Sequence, residues 1–339
     1  MKEMKLGVQL GYFGAQPTEN IVAIAQEAET LGYESIWTAE AWGSDVFTPL
    51  SWIGAHTSKI KLGTGIAQLS ARTPAATAMA ALTLDHLSGG RMILGLGVSG
   101  PQVVEGWYGQ PFGKPLSRTR EYVEIIRKIL KREEPVTNEG DHYPLPYKGE
   151  GSWNLGKPLK SITHPLRPDL PIFLGAEGPK NVSMTAEIAD GWLPLYYSPY
   201  RQEVYADQIK NAKESFEISA GVTIEICDDI EKGLIPIKNS LAFYIGGMGA
   251  AKRNFHTELM GRMGFESEAK NIQKLFLEGK RTEAAVAVPD QFADEISLVG
   301  PPERIKERLE AWKETPITSI LIGTHNKEKL RQTADLVLG

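Results

Sequence analysis

The feature that most constrains this chain is an alternation running almost from end to end, in which short strand-like runs are separated by segments of helical period. The runs fall at residues 5–10, 34–38, 60–63, 91–96, 171–174, 191–195, 221–227 and 317–322. Between them, helical segments close at Leu31 and cover residues 48–56, 74–87, 117–131, 180–189, 201–216 and 302–313. Local chemistry marks several boundaries: Thr18-Glu19-Asn20 caps the first helix, Gly32 ends it, and Pro74 suits a first helical position. Eight strands alternating with helices predict a parallel sheet, and that number suggests closure into a (β/α)8 TIM barrel. A doubly wound open sheet has the same alternation, and periodicity does not separate the two.

Two stretches break the repeat. Residues 135–170 are rich in proline, glycine and aromatics, which predicts a long loop of the kind that often serves as a lid or binding segment. Residues 228–291 are helix-rich and lie between strands seven and eight, a helical insertion in a chain otherwise read as one barrel domain over residues 1–339.

Charge and cysteine usage exclude several classes. With 37 Lys+Arg against 42 Asp+Glu the net charge is −5, so there is no electrostatic footprint for nucleic acid or an anionic membrane. The single cysteine, Cys227, rules out an intrachain disulfide framework and a cysteine metal cluster, and points to a reducing, cytoplasmic setting. The start of the chain has no signal-peptide apolar segment, and no run is long enough to span a membrane.

Candidate motifs carry competing readings. Gly95-Leu96-Gly97-Val98-Ser99-Gly100 is a literal G-x-G-x-x-G, but it follows the fourth strand, and no acidic residue ends the next strand. A dinucleotide fingerprint is therefore not expected, although a ligand approaching the backbone at that strand end is. Residues 151–157 spell most of a phosphate loop, yet Pro158 replaces the magnesium-binding hydroxyl residue. Gly175-Ala176-Glu177-Gly178-Pro179-Lys180 joins strand five to a helix start, where free amides suit a phosphate; a tight turn explains it equally well. The six histidines form no metal-ligand spacing, and His86 reads as a helix-end residue. No nucleophile elbow occurs, so an organic cofactor is the economical carrier of chemistry. Glu40 follows strand two, on the face where barrels carry their sites, and is either functional or a structural cap. Arg72 contacts an anion or, on the slightly favoured reading, only solvent. Trp107-Tyr108, Trp192 and Tyr196-Tyr197 line a pocket or fill the core.

Taken together, ordered segments over the first 200 residues resemble the bacterial luciferase-like superfamily, and within it the F420-dependent oxidoreductase branch. They are Lys5-Leu6-Gly7-Val8-Gln9, Ser35-Ile36-Trp37-Thr38-Ala39-Glu40, Lys61-Leu62-Gly63-Thr64-Gly65-Ile66, Arg72-Thr73-Pro74 and the fourth-strand glycine motif. Leu84-Asp85-His86-Leu87-Ser88-Gly89-Gly90-Arg91, the fifth-strand turn and Ala189-Asp190-Gly191-Trp192 complete them, with Val299-Gly300-Pro301-Pro302-Glu303 near the end. The resemblance implies a TIM barrel, an insertion after strand seven, and a deazaflavin (alternatively FMN) at the C-terminal face.

By position it implies that Glu40 faces the ring, that Gly65-Ile66 forms a non-prolyl cis peptide behind it, and that Gln9 and Gln68 contact the cofactor. Val98 and Ser99 would line the ribityl chain, and Gly175, Ala176, Glu177, Gly178 and Pro179 would cradle the phosphate. Relatives acting on sugar phosphates or alcohols often carry Asp-His after strand two; here the pair is Glu40-Ala41, so any acid–base role at that turn falls to Glu40. The fourth-strand turn lacks the arginine typical of FMN-using luciferases, which favours coenzyme F420. The expected activity is hydride transfer between F420 and a small organic substrate. An FMN-dependent monooxygenase and a non-catalytic flavin-binding protein are the alternatives. A homodimer, packed through the Ala-rich helix 74–87, is also implied.

Overall fold

The computed structural model describes residues 4–16, 18–249 and 254–339. Eight parallel strands form its centre: Lys5–Gly11, Ser35–Thr38, Lys61–Thr64, Met92–Gly97, Ile172–Gly175, Gly191–Leu193, Glu217–Gly221 and Ser319–Gly323. Each pairs with its neighbour in the chain; the first also pairs with the eighth, through registers such as Val8 with Ile322. The third pairs with the fourth, Leu62 opposite Met92 and Gly63 opposite Ile93. The sheet is therefore a closed barrel rather than an open doubly wound layer.

Closure explains why the strands read as continuous apolar runs. Their outward side chains meet the surrounding helices, and their inward ones fill the barrel, so neither face is solvated. Met92–Gly97 is buried at all six positions. Trp37, Ile93, Phe173, Leu193 and Leu321 form the inner plug, with the Trp37 and Phe173 rings 5.9 Å apart. The barrel is thus a packed core open to chemistry only at its ends.

The helix Pro74–Leu87 begins as its sequence predicts, with Pro74 in the first turn and the Thr73 hydroxyl accepting from the Ala76 amide. His86 sits in its last turn and touches the His164 carbonyl at 2.8 Å. Residues 132–171 carry no helix; antiparallel bridges join Val136 to Leu159 and Asn138 to Leu145. The Glu121 carboxylate pins this loop by accepting from Asn138 Nδ2 at 2.7 Å and the Tyr143 amide at 2.6 Å.

Three local expectations are corrected. Thr18-Glu19-Asn20 supplies no side-chain cap: Asn20 is left-handed at φ 60° and helix Ile21–Thr30 starts without one. The seventh barrel strand is Glu217–Gly221, not residues 221–227. Thr223–Ile226 instead leaves the barrel and pairs in parallel with Ser297–Gly300, making a separate two-stranded sheet that the sequence did not announce. The alternation of Ile218, Ala220, Val222, Ile224 and Ile226 runs unbroken through both strands, so periodicity cannot show where the chain changes partner. Helix 201–216 shrinks to Glu203–Ile209, because Glu217 already belongs to the barrel.

The insertion leaves through Thr223–Ile226 and returns through Ser297–Gly300. It contains helices Ile230–Gly247, Phe255–Met260, Glu266–Leu277, Arg281–Val286 and Asp290–Glu295, with a π-turn at Gly261–Phe265. Among the described residues no helix is long and apolar enough to cross a membrane.

Candidate functional site

Parallel strands carry their C-terminal ends to one face, where the following loops collect. Gln9, Glu40, Gly65, Ile66, Gln68, Val98, Ser99 and the turn 175–179 all lie on or just after those ends. The predicted site residues are therefore brought to one mouth, although they come from five strands or their loops.

Behind strand three the Gly65–Ile66 peptide is cis. The Gly65 amide donates to the Thr38 carbonyl at 2.6 Å, tying this bulge to strand two. Ile66 packs on the inner plug and projects towards Gly97 and Gly175. A Cβ at Gly97 would lie 2.8 Å from Ile66 Cγ1, so a glycine is needed there for close approach. The G-x-G-x-x-G run thus has a packing reason, and its Ser99 adopts a left-handed φ of 59° as the chain turns.

Glu40 is the most constrained polar group at the mouth, 7% exposed. Its Oε1 accepts from the Gln68 amide at 2.7 Å, while Gln68 Nε2 donates to the Glu40 carbonyl at 3.0 Å. Arg72 Nη1 reaches both carboxylate oxygens, and its Nη2 pairs with Asp45. Asp45 in turn accepts from the Thr48 amide at 2.7 Å, opening the helix Phe47–Gly54. Burial pushes the Glu40 carboxyl above the ordinary range, opposed by the Gln68 amide and the Arg72 guanidinium, which favour its ionised form. The expectation for Arg72 is corrected: it pairs with two carboxylates instead of resting in solvent.

Gln9 is half-buried, its side-chain oxygen placed 3.2 Å from where a Cβ at Gly221 would stand. Gln68 Oε1 is buried and has no partner among the described residues. An orphaned acceptor of this kind suits a ligand donor group.

The fifth-strand turn offers a different chemistry. Helix Pro179–Ile188 starts with no side-chain cap, and a Cβ at Gly178 would meet no atom within 4 Å. That is the open helix start expected of an anion site. Glu177 turns its carboxylate to the insertion, 2.9 Å from His256 Nδ1, while its carbonyl accepts from Arg262 Nη2 at 2.7 Å. The sequence held no local signal for His256 or Arg262, which reach the turn from the insertion.

The aromatic candidates divide. Trp192 and Tyr197 are core, their rings 6.3 Å apart, and Trp107 is 61% exposed. Tyr108 donates to the Ala41 carbonyl at 3.2 Å. Tyr196 stands at the seam with the insertion, facing Tyr244 and His256, and its hydroxyl is buried without a partner among the described residues. The mouth therefore holds two polar features, the paired Glu40 and Gln68 and the uncapped helix start at Gly178.

Known proteins resemble this chain over nearly its whole length. The luciferase-like monooxygenase family model matches residues 4–319. A protein of Mycobacterium tuberculosis named as a coenzyme F420-dependent oxidoreductase is 51% identical, covering 98% of this chain and 99% of its own. The 5,10-methylenetetrahydromethanopterin reductase of Methanolobus tindarius is 29% identical, covering 96% and 97%. Among solved structures, the coenzyme F420-dependent tetrahydromethanopterin reductase of Methanopyrus kandleri superposes with a TM-score of 0.81 at 25% identity, covering 99% of both chains.

Proposed function

The chain belongs to the luciferase-like monooxygenase family, and from that premise we propose that it is an F420-dependent oxidoreductase acting on a small organic substrate. The observation that carries this reading is the pairing, on one barrel face, of the buried Glu40 carboxylate with the uncapped helix start at Gly178. When bound, the deazaflavin supplies the hydride chemistry. Gln9, Gln68 and the Gly65–Ile66 bulge would hold its ring, Val98 and Ser99 its ribityl chain, and residues 175–179 its phosphate.

The protein's own contribution is position and proton control. Ile66 gives the mouth a rigid apolar floor over the Trp37–Phe173 plug, which excludes water from beneath the site. Among the described residues Glu40 Oε2 receives only Arg72, whereas Oε1 also receives the Gln68 amide, so Oε2 is the oxygen with room to hold or deliver a proton. Burial raises the carboxyl above its ordinary range, against the pull of Arg72 and the Gln68 amide, which suits such a role. Separate titrations of the purified protein with oxidised F420 and with FMN test the cofactor; tighter FMN binding would favour a monooxygenase. Turnover of reduced F420 across a substrate panel tests catalysis against simple carriage.

The assembly reading is a homodimer through the helix Pro74–Leu87. Met79 and Leu87 on that helix are 62% and 76% exposed, and Trp52 on the preceding helix is 59% exposed. Three large apolar side chains on neighbouring helices are costly to leave in water. With Cys227 as its free thiol, the protein suits a cytoplasmic setting.

A further inference from the structure

Three successive carbonyls of the fifth-strand turn are held from within the protein. Trp192 Nε1 donates to the Ala176 carbonyl at 2.8 Å. Arg262 Nη2 donates to the Glu177 carbonyl at 2.7 Å. The amides of Asn181 and Val182 both donate to the Gly178 carbonyl at 2.9 Å.

A trans peptide is planar, so its N–H points opposite to its C=O. Fixing the Ala176 and Glu177 carbonyls therefore fixes the directions of the Glu177 and Gly178 amides. Neither amide has a hydrogen-bond partner among the described residues, and open space lies beside Gly178. Adjacent unpartnered N–H groups of this kind are the donors from which anion-binding concavities are built.

The donors that set this geometry are unusual for simple packing. Trp192 is fully buried on strand six and spends its one donor on this carbonyl. Arg262 comes from the insertion's π-turn, makes no ion pair among the described residues, and has a buried Nε with no partner there. Its charge stands at the turn, where the Glu177 carboxylate is already engaged by His256.

We infer that Trp192 and Arg262 are positioning residues that preorganise the Glu177 and Gly178 amides for the phosphate of the cofactor, with Arg262 making the insertion part of that site. This inference rests on reading the turn as the phosphate site. It adds that the turn's affinity is set by two side chains on the far side of the peptide planes, neither of which need touch the ligand.

The test compares two probes by fluorescence titration: oxidised F420, and a 5-deazaflavin whose ribityl chain ends in a hydroxyl in place of the phosphate. Arg262→Met keeps the apolar stem and removes the donor; Trp192→Phe keeps most of the packing and removes the N–H. Each variant should bind F420 about tenfold more weakly, the worth of one hydrogen bond, and bind the phosphate-free deazaflavin as wild type does. Arg262→Lys, which restores a donor and the charge, should recover part of the loss. Equal weakening of both probes, or no weakening in either folded variant, overturns the positioning role and leaves the phosphate site intact. If the wild-type protein itself does not distinguish the two probes, the phosphate reading of the turn fails, and the inference falls with it. Should Trp192→Phe not fold, the Arg262 pair alone decides.

Discussion

Arg72 Nη1 stands 2.9 Å from one oxygen of the Glu40 carboxylate and 3.0 Å from the other, a symmetrical contact at the mouth of the barrel. The same guanidinium pairs with Asp45, so one cation joins the end of strand two to the helix that follows it. Glu40 is thereby both candidate proton carrier and anchor of its loop, and the two roles separate by experiment.

Glu40→Gln keeps the shape and removes ionisation. On the catalytic reading, turnover falls about 10²–10⁴-fold with little change in cofactor affinity. Because burial raises the carboxyl, the wild-type pH profile should contain a limb above the ordinary carboxylate range that the variant lacks. Near-normal turnover with the limb intact would leave Glu40 as scaffold.

The ion pair makes a second, thermodynamic prediction. Arg72→Met leaves Glu40 buried without its cation, so it should destabilise more than an exposed arginine substitution would. Combined with Glu40→Gln, the loss should be smaller than the two single losses together, by about 0.5–3 kcal/mol. Chemical denaturation of the four proteins measures this coupling; strict additivity would mean the contact has no energetic weight.

Gly178→Val probes the phosphate turn directly. Gly178 has an extended backbone with φ −71°, which a β-branched residue adopts readily, and a Cβ there meets no protein atom within 4 Å, so the variant should fold normally. The branched side chain would instead occupy the ligand's approach and weaken F420 binding by about 1–3 kcal/mol, through lost polar contacts. Unchanged affinity would make the turn purely structural.

Asp190 sets a pH-dependent stability. Burial works against its charge, but Lys213, Arg127 and the Ile172 amide outweigh it and hold the carboxyl below its ordinary 3.8. Between the two values the unfolded chain binds the extra proton, so this stabilisation is full above 3.8 and is lost as pH falls through the lowered folded value. Asp190→Asn should cost about 1–3 kcal/mol at neutral pH, and the difference from wild type should shrink in acid. A gap that stays constant down to the acid transition would contradict this.

For the dimer, light scattering at micromolar concentration should give twice the chain mass. Leu87→Glu and Met79→Glu should shift it to the monomer while the far-ultraviolet spectrum stays unchanged. A wild-type monomer would remove the proposal.

The architecture was legible because buried parallel strands and amphipathic helices leave regular traces, and because Pro74 and Gly32 mark boundaries by local chemistry. The seventh strand was misplaced because Val222 keeps the two-residue alternation of Ile218, Ala220, Ile224 and Ile226 going across the point where the chain exchanges one sheet for another. Arg72 looked solvated because its partners are 32 and 27 residues away, and nothing around Arg72-Thr73-Pro74 announces them. The contact between Glu177 and His256 spans 79 residues and joins the barrel to the insertion, beyond the reach of any local pattern. What the sequence showed was the backbone address of each candidate; what it hid was the set of side chains that hold those addresses in place.

The small sheet of Thr223–Ile226 and Ser297–Gly300 sets the two ends of the insertion side by side, at the roughly 4.8 Å spacing of paired strands. A segment whose entry and exit are clipped together leaves and rejoins the barrel at one place, like a fitting in a socket. Its interior can lengthen, shorten or change composition with the barrel's circumference untouched, since no barrel strand has to move to accommodate it. In a chain of this plan the barrel strands and the insertion can vary separately except where His256 and Arg262 reach the turn at Glu177, so an engineer exchanging the insertion at the clip would have to keep those two contacts.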